Sequence, residues 1–147
     1  MATIHRFEDL NAWQSAREVT NLIYELTQDG NFAKDFGLRD QMRRAASSIM
    51  LNIAEGFDSG SDAEFVRFLG YARRSASETQ AGLYTALDQK YILQSQFDSL
   101  YEKATICKKQ INGLISYLHK PRQHAVKEPS ASYNIPLPDD TSNHSDH

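Results

Sequence analysis

The chain has 147 residues, a formal net charge of −3 and a sequence pI near 5.9. This length is most simply one domain with a substantial core, and the mild acidity argues against a general polyanion-binding protein, which is usually basic. The single cysteine, Cys107, excludes an intrachain disulfide and a cysteine-based zinc site.

Apolar residues at helical spacing predict a first helix. Its stripe consists of Ala12, Ala16, Val19, Ile23 and Leu26. Asp9 is the expected N-cap of this helix. Trp13 widens the apolar face, and we expect it to be a partly buried anchor or a subunit contact. The loop over residues 29–36 follows, and its two phenylalanines, Phe32 and Phe36, are expected to plug the end of the core.

The second predicted helix runs from about Leu38 to Phe57 and carries two parallel stripes. The apolar stripe is Met42, Ala45, Ile49 and Ile53, and the polar stripe is Gln41, Arg44, Ser48, Asn52 and Glu55. A helix with both stripes suits a bundle that holds a specific polar network inside it or at a subunit contact. The network predicted here includes two residues of the third helix and consists of Arg44, Ser48, Asn52, Glu55, Ser75 and Glu78.

Two further helices complete an all-α pattern with no convincing strand. Ser61 and Glu64 form a capping box before the third helix, and Ser95 with Asp98 is a weaker capping signal before the fourth. The fourth helix keeps the strictest apolar rhythm, with Phe97, Leu100, Ala104, Cys107, Ile111, Leu114 and Leu118. Since short connections favour antiparallel neighbours, residues 1–120 are predicted to form an antiparallel up-down four-helix bundle.

Residues 121–147 contain all four prolines and few large apolar side chains. Such a segment buries too little surface to offset the entropy of ordering, so we expect a flexible Pro/Ser/Asp-rich tail. The alternative is a short strand or clasp at 133–137 that docks on a neighbouring subunit.

Three segments of the chain carry a family resemblance. They read FEDLNAW, FGLRDQMRRAASSIMLNIAEG and EFVRFLGYARRSASETQ. Together they resemble the bacterial four-helix-bundle family of 23S rRNA intervening-sequence proteins, over Phe7 to Leu118. The resemblance implies a small cytosolic bundle that commonly forms a homopentamer. In one departure from the family pattern, Arg74-Ser75 stands where Gly-Ser is usual.

The chain is also similar to the accessory variability protein of diversity-generating retroelements. That similarity implies a barrel-shaped pentamer that binds nucleic acid and a reverse transcriptase. For most members of the family no activity is established.

Catalytic and metal sites are poorly supported. Glu55 and Glu78 could serve as an acid–base pair only if their environments separated their pKa values, and no His, Cys or Lys lies at a helpful spacing. The five histidines lie near the chain ends, without the E-x-x-H spacing of di-iron bundles. Cys107 follows the core rhythm and is expected to be a buried hydrophobic residue. We therefore predict no catalytic residue, no metal and no cofactor.

Arginines concentrate on the second and third helices. Those that could contact nucleic acid are Arg39, Arg43, Arg67, Arg73 and Arg74. Guanidinium groups suit phosphate, although nearby acidic residues leave the region almost neutral, which favours a solvated, salt-bridged surface.

The sequence thus favours a non-enzymatic, homo-oligomeric scaffold that forms a ring. The number of five subunits is implied only by the family resemblance. The alternative is an accessory protein that binds RNA or DNA through the arginines of helices two and three, and a carboxylate-dependent enzyme is the remote alternative. The first residues lack a signal-peptide pattern, and no stretch nears the roughly 20 apolar residues of a membrane span. We expect a cytoplasmic protein without a membrane partner.

Overall fold

The fold was analysed in a computed structural model that describes residues 2–121 and 133–135. Within these residues the chain forms five helices, one turn of 3-10 helix and two short strands. The helices are α1 (Asn11–Leu26), α2 (Gly30–Lys34), α3 (Phe36–Phe57), α4 (Asp62–Asp88) and α5 (Gln94–His119). The 3-10 turn is Phe7–Asp9, and the strands are β1 (Ala2–Ile4) and β2 (Tyr133–Ile135).

The four long helices enclose one apolar core. Helix α1 packs against α3 and α5, and α4 packs against the same two helices. The predicted stripes supply the core, whose fully buried members include Val19, Ile23, Ile49, Ile53, Leu69, Leu83 and Ile111. The loop predicted at 29–36 contains α2. There Phe32 is buried and stacks on Tyr91, whereas Phe36 is 65% exposed beneath the Arg39 guanidinium, so only the first of these phenylalanines plugs the core.

The helix starts differ in part from those predicted. Asp9 lies in the 3-10 turn, and α1 begins after Leu10 without a side-chain cap, so the expected Asp9 cap is wrong. Ser61 Oγ does accept the Glu64 backbone N–H at 3.2 Å. Helix α5 starts with Gln96 Oε1 accepting the Leu93 N–H at 2.8 Å, not with the predicted pair at 95 and 98.

The two strands form an antiparallel clasp that joins distant parts of the chain. Ala2 pairs with Ile135 and Ile4 pairs with Tyr133. The Tyr133 ring is buried against Phe57 and Phe65, with centroid distances of 5.4 and 5.2 Å. Residues 133–135 of the segment predicted to be a flexible tail thus form a strand, whereas residues 122–132 and 136–147 of that prediction lie outside the described residues. The strand docks on its own chain, where its aromatic ring adds to the core.

Asp35 ties two loops together at one end of the bundle. Its Oδ1 accepts the Leu38 N–H at 3.1 Å and so caps α3, while its Oδ2 accepts the Tyr91 hydroxyl at 3.0 Å. Since an N-cap is worth about 0.5–2 kcal/mol, Asp35→Ala should lower the free energy of unfolding by that amount or more. Asp35→Asn keeps a capping oxygen and is the matched control in chemical denaturation. Equal losses in the two variants would contradict the capping role.

The bond to Tyr91 also predicts a pH dependence. The hydrogen bond to Asp35 raises the pKa of Tyr91 above its ordinary value, and burial raises it further. Because the folded pKa is the higher one, this contribution to stability is fully present below the ordinary tyrosine pKa. It is lost as the pH rises through the raised pKa.

Candidate functional site

A short polar seam joins α3 to α4 near the middle of both helices. Ser75 Oγ donates to Ser48 Oγ at 3.0 Å across the helix interface. Asn52 Nδ2 donates to the Ser48 carbonyl and to Ser48 Oγ, at 2.8 and 2.9 Å. All three side chains are half-buried. The seam therefore brings together three residues of the predicted polar network and fixes the register of the two helices.

The charged members of that predicted network lie elsewhere. Arg44, Glu55 and Glu78 are exposed, and their side chains make no hydrogen bond or ion pair with a described residue. Glu55 and Glu78 line neither of the two surface depressions described below. Neither of these depressions could therefore desolvate one of the two carboxylates for acid–base chemistry.

Two of the candidate arginines on α3 are engaged by the fold. Arg43 donates to the Thr27 hydroxyl at 2.8 Å and to the Thr27 carbonyl at 3.2 Å, which locks α3 onto the end of α1. Arg39 donates to the Ala33 carbonyl at 3.0 Å and pairs with Asp40 at 2.8 Å. These guanidinium groups donate hydrogen bonds to backbone carbonyls. A phosphate group could bind them only by displacing those hydrogen bonds.

The outward side of α4 carries an arginine–aromatic patch, defined here as Arg67, Phe68, Tyr71 and Arg74. The Arg67 guanidinium lies 4.9 Å from the Phe68 ring centroid and donates to the Tyr71 hydroxyl at 3.1 Å. Arg74 lies 5.7 Å from the Tyr71 ring on its other side. Both rings are half-buried, and both arginines are exposed. The result is a row of stacked cations and rings along the helix surface.

Charge in this patch is only partly compensated. Arg67 pairs with Glu64 at 2.6 Å, which lowers the pKa of Glu64 and raises the pKa of Arg67. Arg74 has no ion pair with a described residue, and Arg73 donates to Asn112 on α5 at 2.9 Å. The sequence pattern predicted these arginines as candidates but not their aromatic partners. The spacing that could have indicated these partners is four residues from Arg67 to Tyr71 and three residues from Tyr71 to Arg74.

A second surface feature is a shallow groove of about 700 Å³ along the outside of α1. It is called the α1 groove, and its lining includes Arg6, Trp13, Arg17, Glu18, Leu22 and Glu25. Trp13 is half-buried and meets Phe7 edge to face at 5.3 Å, while Arg17 lies 5.6 Å from the Trp13 ring. A smaller depression of about 290 Å³ lies beside Tyr91 and Lys90.

The remaining candidates offer little chemistry. Burial raises the pKa of the Cys107 thiol to about 12, so this side chain behaves as a core residue. Among the described residues no group of three His, Cys, Asp or Glu side chains could hold a metal ion. None of the helices described is long and apolar enough to span a membrane.

Comparison with known families decides the classification. Residues 8–113 match the sequence model of the family described as 23S rRNA-intervening sequence protein. The chain belongs to this family. The match includes both the polar seam and the arginine–aromatic patch, so these features lie inside the part that defines membership. No curated protein matches the sequence.

A solved structure supports the same assignment. It is a protein of unknown function from the S23 ribosomal protein family of Bacteroides thetaiotaomicron VPI-5482. The two chains superpose with a TM-score of 0.61 and share 28% sequence identity, over 71% of this chain and 94% of that chain. The alignment thus covers nearly all of the related protein.

Proposed function

We propose that this protein is a non-enzymatic scaffold: an up-and-down four-helix bundle that assembles with copies of itself into a ring in the cytoplasm. The order of the contacts along the helices supports the up-and-down arrangement. Between α3 and α4, Ser48 meets Ser75, and Gly56 further along α3 lies against Phe65, which is earlier in α4. Between α1 and α5, Ala12 meets Cys107 and Glu18 meets Lys103. In both helix pairs, a residue further along one helix contacts a residue earlier in the other helix, as in antiparallel neighbours.

One observation carries the proposal for assembly: large apolar side chains remain on the outside of helices whose cores are already complete. Phe68 and Tyr71 lie in the arginine–aromatic patch, and Leu51, on the neighbouring helix α3, is 62% exposed. Aromatic residues and arginine are the types enriched at the centres of protein interfaces. Apolar surface that remains exposed in this way supports association. The number of five subunits rests on the family resemblance alone.

Light scattering on a size-exclusion peak tests the assembly. At micromolar concentration and moderate salt we expect a mass several times the 16.7 kDa of one chain. Because apolar burial drives such contacts, the mass should change little when the salt concentration is raised. A peak with the mass of one chain would refute the scaffold, and a clean dimer would refute the ring.

Nucleic-acid binding is the second candidate, and Arg74 favours it. This exposed guanidinium has no ion pair in the described chain and lies over a tyrosine ring, an arrangement that can bind phosphate and stack on a base. Binding of labelled RNA and DNA, measured over a range of salt, separates this candidate from the scaffold. Phosphate contacts would give an affinity that falls steeply with salt and with Arg74→Ala. An absence of binding at low salt would eliminate it.

A further inference from the structure

Two adjacent segments of α4 and α5 contain cations and no carboxylate. They are residues 65–77 of α4 and residues 105–120 at the end of α5, and neither includes an aspartate or a glutamate. Their cations are Arg67, Arg73, Arg74, Lys108, Lys109 and Lys120. Arg73 donates to Asn112 at 2.9 Å, so the two segments lie side by side. The packing of these helices thus gathers positive charge on one side of a chain whose net charge is −3.

Most of these cations have no acidic partner in the described part of the chain. Only Arg67 forms an ion pair, with Glu64. Arg73 and Lys108 donate to side-chain amide oxygens, at 2.9 and 3.0 Å. The other three make no ion pair with a described residue. We define the α4–α5 basic face as Arg73, Arg74, Lys108, Lys109 and Lys120.

Strand β2 brings the chain to one end of this face. The Tyr133 ring packs on Phe65 at the start of α4, with a centroid distance of 5.2 Å. The backbone of Asn134 hydrogen-bonds to the Tyr117 side chain near the end of α5. The residues that follow Ile135 therefore begin beside the two helices that carry the basic face.

The segment 136–147 is acidic and long enough to cover the face. Its sequence is PLPDDTSNHSDH, which contains three aspartates and neither lysine nor arginine. The helical rise places Arg73 about 12 Å along α4 from Phe65. An extended chain advances about 3.3 Å per residue, so Asp139 and Asp140 lie within reach of this arginine.

We propose that residues 136–147 dock on the α4–α5 basic face of their own chain, with their three aspartates against its cations. A segment without a cation then meets a face without a carboxylate, which is complementarity of charge. The contact does not depend on whether copies of the chain assemble. A docked segment would compete with a phosphate group for Arg74, so it would also restrain the binding of nucleic acid.

The strength of this contact follows from its exposure. Ion pairs on a protein surface are weak and are screened by salt, so the docked segment adds little to the stability of the fold at moderate salt. Attachment to strand β2 raises its local concentration at the face, which favours docking at low ionic strength.

Zero-length cross-linking with a water-soluble carbodiimide tests the docking, because it joins a carboxylate to a lysine amine that touches it. At low salt, mass spectrometry of the digested monomer should find Asp139, Asp140 or Asp146 linked to lysines of the basic face. Exposed Lys34 and Lys90, at the opposite end of the bundle, are the controls and should not be linked. In 1 M salt the yield should fall several-fold, because the screening length shrinks to about 3 Å.

Binding of inorganic polyphosphate gives a second readout. Replacement of the three aspartates by asparagine should tighten this binding at least threefold at low salt, since the face is then uncovered. The matched control removes three exposed carboxylates that make no ion pair with a described residue, by Glu25→Gln, Asp88→Asn and Glu102→Gln. It changes the net charge equally and should have a smaller effect.

Three results would overturn the proposal. They are equal affinities of the two triple variants for polyphosphate, links to the control lysines as frequent as links to the face, and the expected linked peptides only in covalent dimers. The last result would place the segment on a second copy of the chain. None of them bears on assembly, which is decided by the mass of the wild type alone.

Discussion

Replacement of Gly56 by alanine should destabilise the protein strongly, although alanine is the better helix former. A Cβ atom at this position would lie 2.9 Å from Phe65 Cδ1 and 2.9 Å from Phe68 Cβ, and 3.3 Å from the Phe65 carbonyl oxygen. The last two atoms are fixed to the backbone of α4, so the clash cannot be relieved by rotating a side chain. Helices α3 and α4 must move apart, and overpacking of this kind costs about 1–3 kcal/mol.

Gly113 is the matched control for this prediction. It lies exposed on α5, and nothing lies within 4 Å of the Cβ that alanine would add. Gly113→Ala should therefore raise the free energy of unfolding by about 0.5–1 kcal/mol, through helix propensity alone. Urea denaturation of the two variants measures both changes. If both substitutions changed the free energy of unfolding in the same direction, helices α3 and α4 would not approach closely at Gly56.

Gly56 illustrates what the sequence could and could not predict. The apolar stripes at 42, 45, 49 and 53 correctly predicted a helix that ends near Phe57, because burial of one face imposes a period on the sequence. Within that pattern Gly56 has no role beyond its place next to the predicted helix end. Its actual role depends on the packing of Phe65 and Phe68 from another helix, and periodicity within one helix contains no information on that distance.

The clasp could be predicted only as an alternative, and as docked on a neighbouring subunit, for a related reason. Strand β2 has three residues, too few for alternation to be visible, and its partner is at the opposite end of the chain. The proline-rich composition around this strand predicted a flexible tail. Nothing in that composition shows that the Tyr133 ring is buried. A segment so short gains its order from a tertiary contact, not from its own propensity.

The contacts of the individual arginines also could not be predicted from the sequence. Arg43 and Arg74 look alike in the pattern, as exposed cations on neighbouring helices. In the fold Arg43 closes onto the Thr27 carbonyl, while Arg74 lies over Tyr71 without an acidic partner. The difference is that Arg43 contacts the end of another helix, α1, whereas Arg74 contacts a ring on its own helix. We therefore propose that any nucleic-acid contact involves the patch on α4, since Arg39 and Arg43 already donate to backbone carbonyls.

Tyr133→Ala should be among the most destabilising single changes outside the helices. The ring is 3% exposed and contacts both Phe57 and Phe65, so its removal opens a cavity where α3 ends and α4 begins. Truncation of a buried aromatic side chain to alanine costs about 3–5 kcal/mol, and we expect the lower end because the strand can undock to relax the cavity. A thermal melt followed by circular dichroism at 222 nm measures the loss.

Two truncated chains separate the ring from the rest of the C-terminal region. A chain that ends at Lys120 lacks β2 and exposes Phe57 and Phe65, so it should melt at least as early as Tyr133→Ala. A chain that ends at Ile135 keeps the strand pairing with β1 and the buried ring, and should melt like the full chain. If the shorter chain were as stable as the full one, the clasp would contribute nothing. The measured stability would then come from the helices alone, as the composition of the tail first indicated.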